Sequence, residues 1–404
     1  MRTRKHTRLQ PGHGSRGVIL VMVLWIIVVL SVMAYSLAYE MRVGLKTTSL
    51  AQKRLAAGAT ARAGLAKAVT DLKNDRLIAL ADQGQTNDNL MEVWADKEDK
   101  TDVEFGGGTF TVRIIDEESK LDVNSIIPAS MPGLVYLLRE VGGFDDDEAQ
   151  IIAACIVDFA DADLIPSTGE GYDEVEYYTE WGLDEYGDQL PPGWVFRPKN
   201  DYYLHIEELL EIPGLTREML YGDPREVPQD PFVRRDEEED FPALADYLTA
   251  GRNHKVNINT ARIPVLEAIF AGAMGEGGDY GRIVSRIDDL RRSRNTLEGG
   301  TGYGIADPAQ LAEAGVPAEA IELVQQLFPL GVQSHRFTII ARGTYQGVRE
   351  TIAATVNLTV ESYPYDPDDP DTFGLRDQAA AGELENQPYV KVDPAVRVEW
   401  MAEL

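Results

Sequence analysis

The chain has 404 residues, of which 67 are acidic and 38 are basic, and it carries a formal net charge of -29 at pH 7. This negative charge argues against nucleic acid as a partner, because phosphates are bound by basic surfaces. The single cysteine, Cys155, excludes an intramolecular disulfide, and the length is sufficient for two or three domains.

An uncharged apolar stretch from Val18 to Tyr39 predicts a membrane-spanning helix, because it is long enough to cross a bilayer. The preceding residues 1–17 carry five basic side chains and no acidic one. Basic flanks stay on the cytoplasmic side, so the acidic remainder is expected across the membrane. The apolar run is longer and bulkier than that of a cleavable secretory signal, which predicts that the anchor is kept.

The helix is expected to continue from Met41 to about Lys73, a stretch without proline and rich in strong helix formers. Apolar or small residues recur there near the helical spacing, which predicts one face that packs on a globular domain. This predicted stripe comprises Leu45, Leu55, Ala59, Ala63, Ala66, Val69 and Leu72.

Strand patterns occur in two places that lie far apart in the chain. After a polar region at Asp75–Lys100, which we interpret as a loop, Thr109–Ile114 alternates like a half-buried strand. Near the C-terminus, Arg336–Gly343 and Val348–Val360 alternate on either side of a turn at Tyr345–Gly347, which is typical of a hairpin. These strands predict one small antiparallel sheet.

The long region between these strands has helical character. The simplest fold is therefore α+β: a long N-terminal transmembrane helix packs on the small antiparallel sheet, and a large all-α domain is inserted between strands. Such an insertion is tolerated because the cost of loop closure grows only logarithmically with length. Proline and charge runs predict an exposed connector at Asp223–Pro242 and a mobile loop or tail at Ser362–Pro394, before Val396–Trp400. Helices are expected at Met131–Val141, Asp145–Phe159, His205–Ile212, Ile263–Ala271, Arg282–Arg292 and Pro317–Leu327.

A basic leader that ends in Arg16-Gly17, an apolar helix and an amphipathic outer half resemble the N-terminus of type IV pilin-like proteins. In that family the prepilin peptidase cuts after the glycine, which implies cleavage between Gly17 and Val18. The fifth residue after this site is Met22, where most members have a glutamate that pairs with a neighbour's N-terminal amine. A carboxylate in hydrocarbon needs such a partner. Its absence is a mark of the type II secretion minor pseudopilin K, and the alternative for this stretch is an ordinary single-pass anchor.

Two short motifs precede predicted helices, Leu121–Ser125 (LDVNS) and Val256–Ala261 (VNINTA). In each, an Asn followed by Ser or Thr is placed to cap the next helix. VNINTA and Glu207–Thr216 (EELLEIPGLT) resemble helix-hairpin-helix modules, which in DNA-binding proteins present backbone amides and basic side chains to phosphates. A membrane-anchored DNA-uptake receptor is therefore the alternative function. Four glutamates and only Arg217 surround this hairpin, which favours the structural use that the pseudopilin K family makes of these elements.

The stretch Asp158–Tyr178 is dense in carboxylates, which repel one another unless they are solvated or bridged by a hard cation. Oxygen ligands of this kind suit calcium, although the spacing is not that of an EF-hand. The run resembles a pseudopilin K pattern in which D-x-D leads to an acidic cluster and a tyrosine pair, with Phe159 in place of the usual tryptophan. A solvated acidic loop is the alternative. The candidate calcium ligands are Asp158, Asp161, Asp163, Asp173, Glu174 and Glu176.

The sequence contains no recognisable catalytic pattern. None of the five histidines has a metal-ligand spacing, and there is neither a nucleophile elbow nor a phosphate-binding loop. We therefore expect a protein that is not an enzyme.

The resemblance to pseudopilin K covers most of the chain and implies a tip subunit of the type II secretion pseudopilus. Its implied role is pseudopilus assembly and protein export across the outer membrane. The implied location is the inner membrane, with the globular part in the periplasm. The implied partners are the minor pseudopilins I and J and the prepilin peptidase, without nucleic acid. The expected organisation is a leader at 1–17, a transmembrane helix at 18–39, an outer helix and first strands at 40–120, an inserted helical domain at 121–333, and C-terminal strands with an acidic tail at 334–404.

Overall fold

The computed structural model describes residues 15–81, 87–95, 100–169, 173–222, 232, 243–251, 255–275, 280–293, 303–360 and 394–403. Most of the predicted leader, the predicted connector at Asp223–Pro242 except Phe232, and the predicted tail up to Asp393 lie outside these residues.

Within the described residues, eight α-helices and nine strands follow one another along the chain. The helices are α1 (Ser15–Ala81), α2 (Met131–Glu140), α3 (Asp146–Ala160), α4 (Glu174–Tyr186), α5 (Arg217–Tyr221), α6 (Ile263–Met274), α7 (Tyr280–Arg292) and α8 (Ala318–Leu327). The strands are β1 (Val103–Phe105), β2 (Gly108–Asp116), β3 (Leu121–Asp122), β4 (Leu248–Thr249), β5 (Val256–Asn257), β6 (Leu330–Gly331), β7 (Arg336–Tyr345), β8 (Val348–Val360) and β9 (Pro394–Glu403).

Helix α1 is continuous from Ser15 to Ala81 and contains the predicted membrane span. Among the described helices it alone is long and apolar enough to cross a bilayer: its most apolar 18-residue window has a mean hydropathy of 2.9, and none of that window is buried. The helix passes the predicted end at Lys73, so the expected loop from Asp75 is wrong for its first residues. No proline interrupts the stretch, and Leu77, Ala79 and Ala81 are strong helix formers.

The main sheet is antiparallel and has the strand order β1-β2-β7-β8-β9 in the described residues. The predicted hairpin is confirmed: β7 and β8 pair from Arg336–Asn357 to Tyr345–Val348. Its two turn residues, Gln346 and Gly347, both have positive φ, 47° and 80°. This backbone matches the right-handed twist of paired strands. The α+β architecture predicted from the sequence is therefore observed.

The face of α1 that packs on the sheet differs from the predicted stripe. Leu45 is 70% exposed and Leu55 is 73% exposed, whereas Ala57, Ala61 and Ala68 are almost fully buried. The prediction was wrong for Leu45, Leu55, Ala59 and Ala66, which are exposed, whereas its last member, Leu72, is buried. The backbones of the helix and the sheet approach so closely that small residues are needed. The buried face consists of Ala57, Thr60, Ala61, Gly64, Ala68, Leu72 and Arg76.

Two glycines allow this close approach. A Cβ atom at Gly64 would lie 3.0 Å from side-chain atoms of both Phe110 and Val112. On the facing strand, a Cβ atom at Gly343 would collide with the backbone of Ala57. The small core under α1 is completed by aromatic packing, with the rings of Trp94 and Phe337 5.3 Å apart. Trp94 belongs to the region that we interpreted as a loop, so part of that region is buried core.

A second and larger core lies in the helical region between β2 and β7. Helix α2 packs on α3 and α6, and α6 also packs on α7 and α8. The predicted helices are present, except that His205–Ile212 forms a 3-10 helix at Ile206–Glu211. Helix α4 was not predicted, and its first turn lies in the carboxylate-rich stretch that we interpreted as a calcium site or a solvated loop.

A buried polar network joins the sheet to the helical region. Thr260 donates a hydrogen bond to Asp116 at the end of β2, with an oxygen–oxygen distance of 2.5 Å. Ser334 donates to the same carboxylate oxygen at 2.6 Å and accepts a hydrogen bond from Asn257 at 2.7 Å. Buried polar groups that are satisfied in this way fix one arrangement of the elements.

The asparagines of the LDVNS and VNINTA motifs do not cap the helices that follow them, so the predicted capping role is wrong. The α6 N-cap is Arg262, which makes no side-chain capping bond, while Asn257 and Asn259 bond to neighbouring loops. In the LDVNS motif, Asp122 is the N-cap of a short 3-10 helix at Val123–Ser125. Asn124 instead donates hydrogen bonds to the carbonyl oxygens of Tyr203 and Gly251. These asparagines act as connectors within the fold.

Candidate functional site

The predicted acidic site lies where α3 ends and α4 begins. Asp158 is in the last turn of α3, Asp161 is its C-terminal cap, and Glu174 is the first residue of α4. The C-terminus of a helix carries a partial negative charge, so carboxylates there are destabilised and cations are favoured. Asp158 and Asp161 thus lie where a positive partner would compensate them, whereas Glu174 lies at the N-terminus of α4, where the dipole favours an acid.

Three of the predicted ligands converge. Asp161, Asp163 and Glu174 each offer a carboxylate oxygen, and these oxygens lie within 4.8 Å of one another. Asp158 is adjacent and fully buried. Its Oδ2 accepts hydrogen bonds from the Tyr178 hydroxyl at 2.5 Å and from the Ser167 amide at 2.7 Å.

Several oxygens of this group have no hydrogen-bond partner among the protein atoms of the described residues. They are Oδ1 of Asp158, Oδ1 of Asp161 and both carboxylate oxygens of Glu174, and all are buried. Burial of a carboxylate without a partner costs several kcal/mol in order of magnitude. A hard divalent cation takes six to eight oxygen ligands, so these unsatisfied oxygens fit calcium.

The carboxylates also perturb one another. Burial, reinforced by the charges of Asp158 and Asp161, raises the pKa of Glu174 to about 8. Burial and the charges of Asp158 and Asp163 raise the pKa of Asp161 to about 6. The protein alone therefore disfavours the fully ionised site at neutral pH, and a bound cation would restore the ionised form.

The structure does not bring the two remaining predicted ligands into this group of three. Asp173 is the N-cap of α4 and accepts a hydrogen bond from the Glu176 amide at 3.0 Å. Glu176 lies in the first turn of α4 and is exposed. Both residues thus lie at the start of the helix, where acidic side chains are stabilised by the helix dipole.

A second acidic cluster was not predicted. Asp75 of α1, Asp88 and Glu92 place carboxylate oxygens within 4.8 Å of one another. Here partners are present: Arg76 lies 2.8 Å from Asp88, and the Trp94 ring nitrogen donates to Glu92 at 2.7 Å. Burial and the charges of Asp75 and Asp88 raise the pKa of Glu92 to about 8. This cluster was not predicted because the end of α1 and the region at 87–95 were interpreted as one loop.

The predicted processing and anchor positions all lie on α1. Gly17 and Val18 are within the helix, and the side chains of Val18 and Met22 are 57% and 62% exposed. Their exposure leaves them accessible to a lipid or to a neighbouring helix.

The predicted helix-hairpin-helix hairpin is formed by the 3-10 helix at Ile206–Glu211, a turn at Gly214 with φ of +87°, and α5. Its acidic side chains are engaged locally. Lys199 forms an ion pair with Glu208 at 2.5 Å, and the Tyr221 hydroxyl donates to Glu207 at 2.6 Å. Glu211 and Glu218 of the hairpin are exposed, so its surface remains acidic.

No protein-family model and no curated protein matches this sequence. Among solved structures, the chain is similar to a chain in the crystal structure of the GspK-GspI-GspJ complex from the enterotoxigenic Escherichia coli type 2 secretion system. The TM-score is 0.52 at 17% sequence identity, and the match covers 89% of this chain and 99% of that chain. The chain therefore has the fold of a subunit of that complex, and the pilin-like fold implied by the sequence resemblance is confirmed.

Proposed function

We propose that this chain is a non-enzymatic subunit at the tip of a type II secretion pseudopilus, with a role in pseudopilus assembly and protein export. The observation that carries this proposal is its fold, which is shared over 89% of its length with a subunit of the GspK-GspI-GspJ complex. The apolar first half of α1, none of which is buried by the rest of the protein, supports the same function. Such a helix suits the inner membrane before assembly and packing against other helices in the pseudopilus afterwards.

Two features favour the tip over the shaft. The helical region inserted between β2 and β7 makes the globular part much bulkier than a long helix packed on a small sheet. Met22 also lacks a carboxylate that could pair with the N-terminal amine of a neighbouring subunit. A bulky subunit without that ion pair suits the end of a filament.

The outer half of α1 offers a surface for the proposed partners, the minor pseudopilins I and J. Three large apolar side chains of this half are exposed: Leu45 is 70%, Leu50 is 46% and Leu55 is 73% exposed. They are five residues apart and therefore spread around the helix, so more than one neighbouring helix can pack against them. Leu45 and Leu55 belong to the stripe that the sequence had led us to expect inside the fold.

The test is co-purification of a fragment that begins at Met41 with soluble forms of the two partners. We expect a ternary complex, since the fragment keeps the exposed face of the outer helix. Leu45→Glu combined with Leu55→Glu should abolish it, because each charge would be buried in an apolar interface. Leu323→Glu, which changes an exposed leucine of α8 away from the outer helix, is the matched control and should retain the complex. A wild-type fragment that remains monomeric with both partners present contradicts the proposal.

We also propose that Asp158, Asp161, Asp163 and Glu174 hold calcium in a structural role. The support is the group of buried carboxylate oxygens without protein partners at the C-terminal end of α3. The cation would join α3 to α4 and so fix the loop between them. Asp173, whose carboxylate caps α4 by accepting a hydrogen bond from the Glu176 amide, and Glu176 itself lie outside the group of three converging carboxylates.

A further inference from the structure

A groove of about 310 Å³ lies beside the hairpin, between the end of α4 and the turn at Gly214. Its walls include the rings of Tyr186 and Trp194, with Leu190, Pro191 and Pro213. This volume is at the small end of the range of ligand pockets, roughly 300–1,000 Å³. The groove thus suits one side chain or a short segment of a polypeptide.

Glycines position both aromatic rings. A Cβ atom at Gly182 would lie 2.9 Å from the Trp194 ring, and one at Gly214 would lie 2.8 Å from the Tyr186 ring. The rings can therefore lie directly on the backbone of α4 and of the hairpin turn. Gly214 also has a φ of +87°, which other residues rarely adopt.

The charged residues at the groove are acidic. Glu211 lines it, and none of the described residues that line it is a lysine or arginine. The Tyr186 hydroxyl donates a hydrogen bond to Glu148 at 3.2 Å. Burial, and then the charges of Glu148, Glu185 and Asp145, raise the pKa of Tyr186.

The same surroundings disfavour a phosphate at this hairpin. The Leu215 amide donates to the carbonyl of Ile212 at 3.2 Å, and the Met219 amide donates to the Thr216 hydroxyl at 3.3 Å. These amides are used within the turn, and the surrounding carboxylates would repel an anion.

We propose that this groove docks a basic peptide segment of a partner protein, with an arginine side chain entering between Tyr186 and Trp194. A planar guanidinium stacks on aromatic faces and is attracted by their π-electrons. The acidic residues around the groove supply the complementary charge. The proposal is independent of the pseudopilus assignment, because it uses only the geometry of α4 and the hairpin.

The experiment uses the full chain in detergent micelles, labelled with 5-fluorotryptophan and observed by fluorine NMR. The chain has five tryptophans, and a Trp194→Phe variant identifies the Trp194 resonance. The probe is a capped Gly-Pro-Arg-Pro-Gly peptide, compared with the same peptide that carries Glu in place of Arg. We expect the Trp194 resonance to shift saturably with the arginine peptide and to stay unchanged with the glutamate peptide.

Variants then locate the site. Glu211→Lys and Gln189→Lys, both on the groove, should each lower the affinity for the arginine peptide by about three- to tenfold. Glu322→Lys on α8, an exposed position outside the groove, should leave the affinity unchanged. The proposal is overturned by the absence of a saturable shift, by an equal shift with the glutamate peptide, or by equal weakening of binding in Glu322→Lys.

Discussion

Glu174 is the residue on which the proposed calcium site depends most. It is fully buried, and neither carboxylate oxygen has a hydrogen-bond partner among the described protein atoms. Asp163, by contrast, is exposed and accepts a hydrogen bond from the Ile165 amide at 2.8 Å. Removal of Glu174 should therefore weaken cation binding more than removal of Asp163.

Calcium should stabilise the folded chain. A cation that binds only the folded state adds about 2.7 kcal/mol at a hundredfold excess over its Kd, which raises Tm by on the order of five degrees. Melting of the fragment that begins at Met41, in millimolar calcium and in chelator, measures this difference. Glu174→Ala and Asp161→Ala should remove most of it, and Glu176→Ala, which changes an exposed residue outside the group, should retain it.

Identical melting curves in calcium and in chelator, with no metal found by elemental analysis of the purified fragment, would contradict the calcium site. The acidic stretch would then be a strained protein feature that protonation relieves.

The sequence placed the residues of this site in one short stretch, which is why Asp158, Asp161 and Glu174 could be predicted together. Local density of carboxylates is visible in a sequence. The cluster of Asp75, Asp88 and Glu92 spans a similar length of chain but was missed, because we expected α1 to end before Asp75 and the residues that follow to form a loop. Burial of these carboxylates depends on packing that no short pattern records.

At the scale of the element, some features of α1 could be predicted from the sequence and others could not. Its length and apolar first half could be predicted, because composition and the absence of proline determine them. Most of its buried face could not, because between Ala57 and Ala68 the helix is held against the sheet at a distance that admits only small side chains. Ala57 and Ala61 look unremarkable in the sequence, yet both are fully buried.

Gly64 tests this close packing. Gly64→Leu should destabilise the fragment by about 1–3 kcal/mol, because the new side chain would overpack against Phe110 and Val112. Gly58→Leu is the matched control, since a Cβ atom there meets nothing within 4 Å. The free energy of unfolding of that control should rise by up to about 1 kcal/mol, because leucine has a higher helix propensity than glycine. Urea unfolding measures both changes, and equal effects of the two substitutions would refute the packing argument.

Processing of α1 is a second prediction at this scale. We expect the mature chain to begin at Val18, because the basic leader and glycine precede an apolar helix as in prepilin-like proteins. The mass of protein extracted from membranes should correspond to cleavage after Gly17, and Gly17→Leu should leave the leader attached. A mature chain that retains Met1 or begins beyond Tyr39 would rule out a prepilin-like anchor.

At the scale of the whole molecule, the acidic surplus makes stability depend on pH. Burial raises the pKa of several carboxyl groups above their ordinary values: Glu174 and Glu92 to about 8, Asp116 to about 7, and Asp161 to about 6. Other carboxyl groups have a lowered pKa, among them Glu117 beside Lys120 and Glu208 beside Lys199.

The sign of the effect follows from proton binding. A carboxyl group with a raised pKa binds more protons in the folded state, so its contribution to stability is lost as the pH rises from about 4.5 to about 8. A carboxyl group with a lowered pKa stabilises the folded chain at pH values above its ordinary pKa, and this stabilisation is lost as the pH falls. In chelator, the free energy of unfolding should therefore be greatest near pH 5 and should decline toward pH 8.

Calcium should flatten this decline, because a bound cation stabilises the ionised forms of Glu174 and Asp161. Glu174→Gln should also flatten it in chelator, since the amide does not titrate, and this variant should no longer respond to calcium. Glu92→Gln should reduce the slope while leaving the calcium response intact, because Glu92 belongs to the other cluster. Urea unfolding at pH 5, 6, 7 and 8, with and without calcium, separates the two sites. A stability that rises from pH 5 to pH 8 in chelator would show that the buried carboxyl groups are ionised and paired in the folded chain.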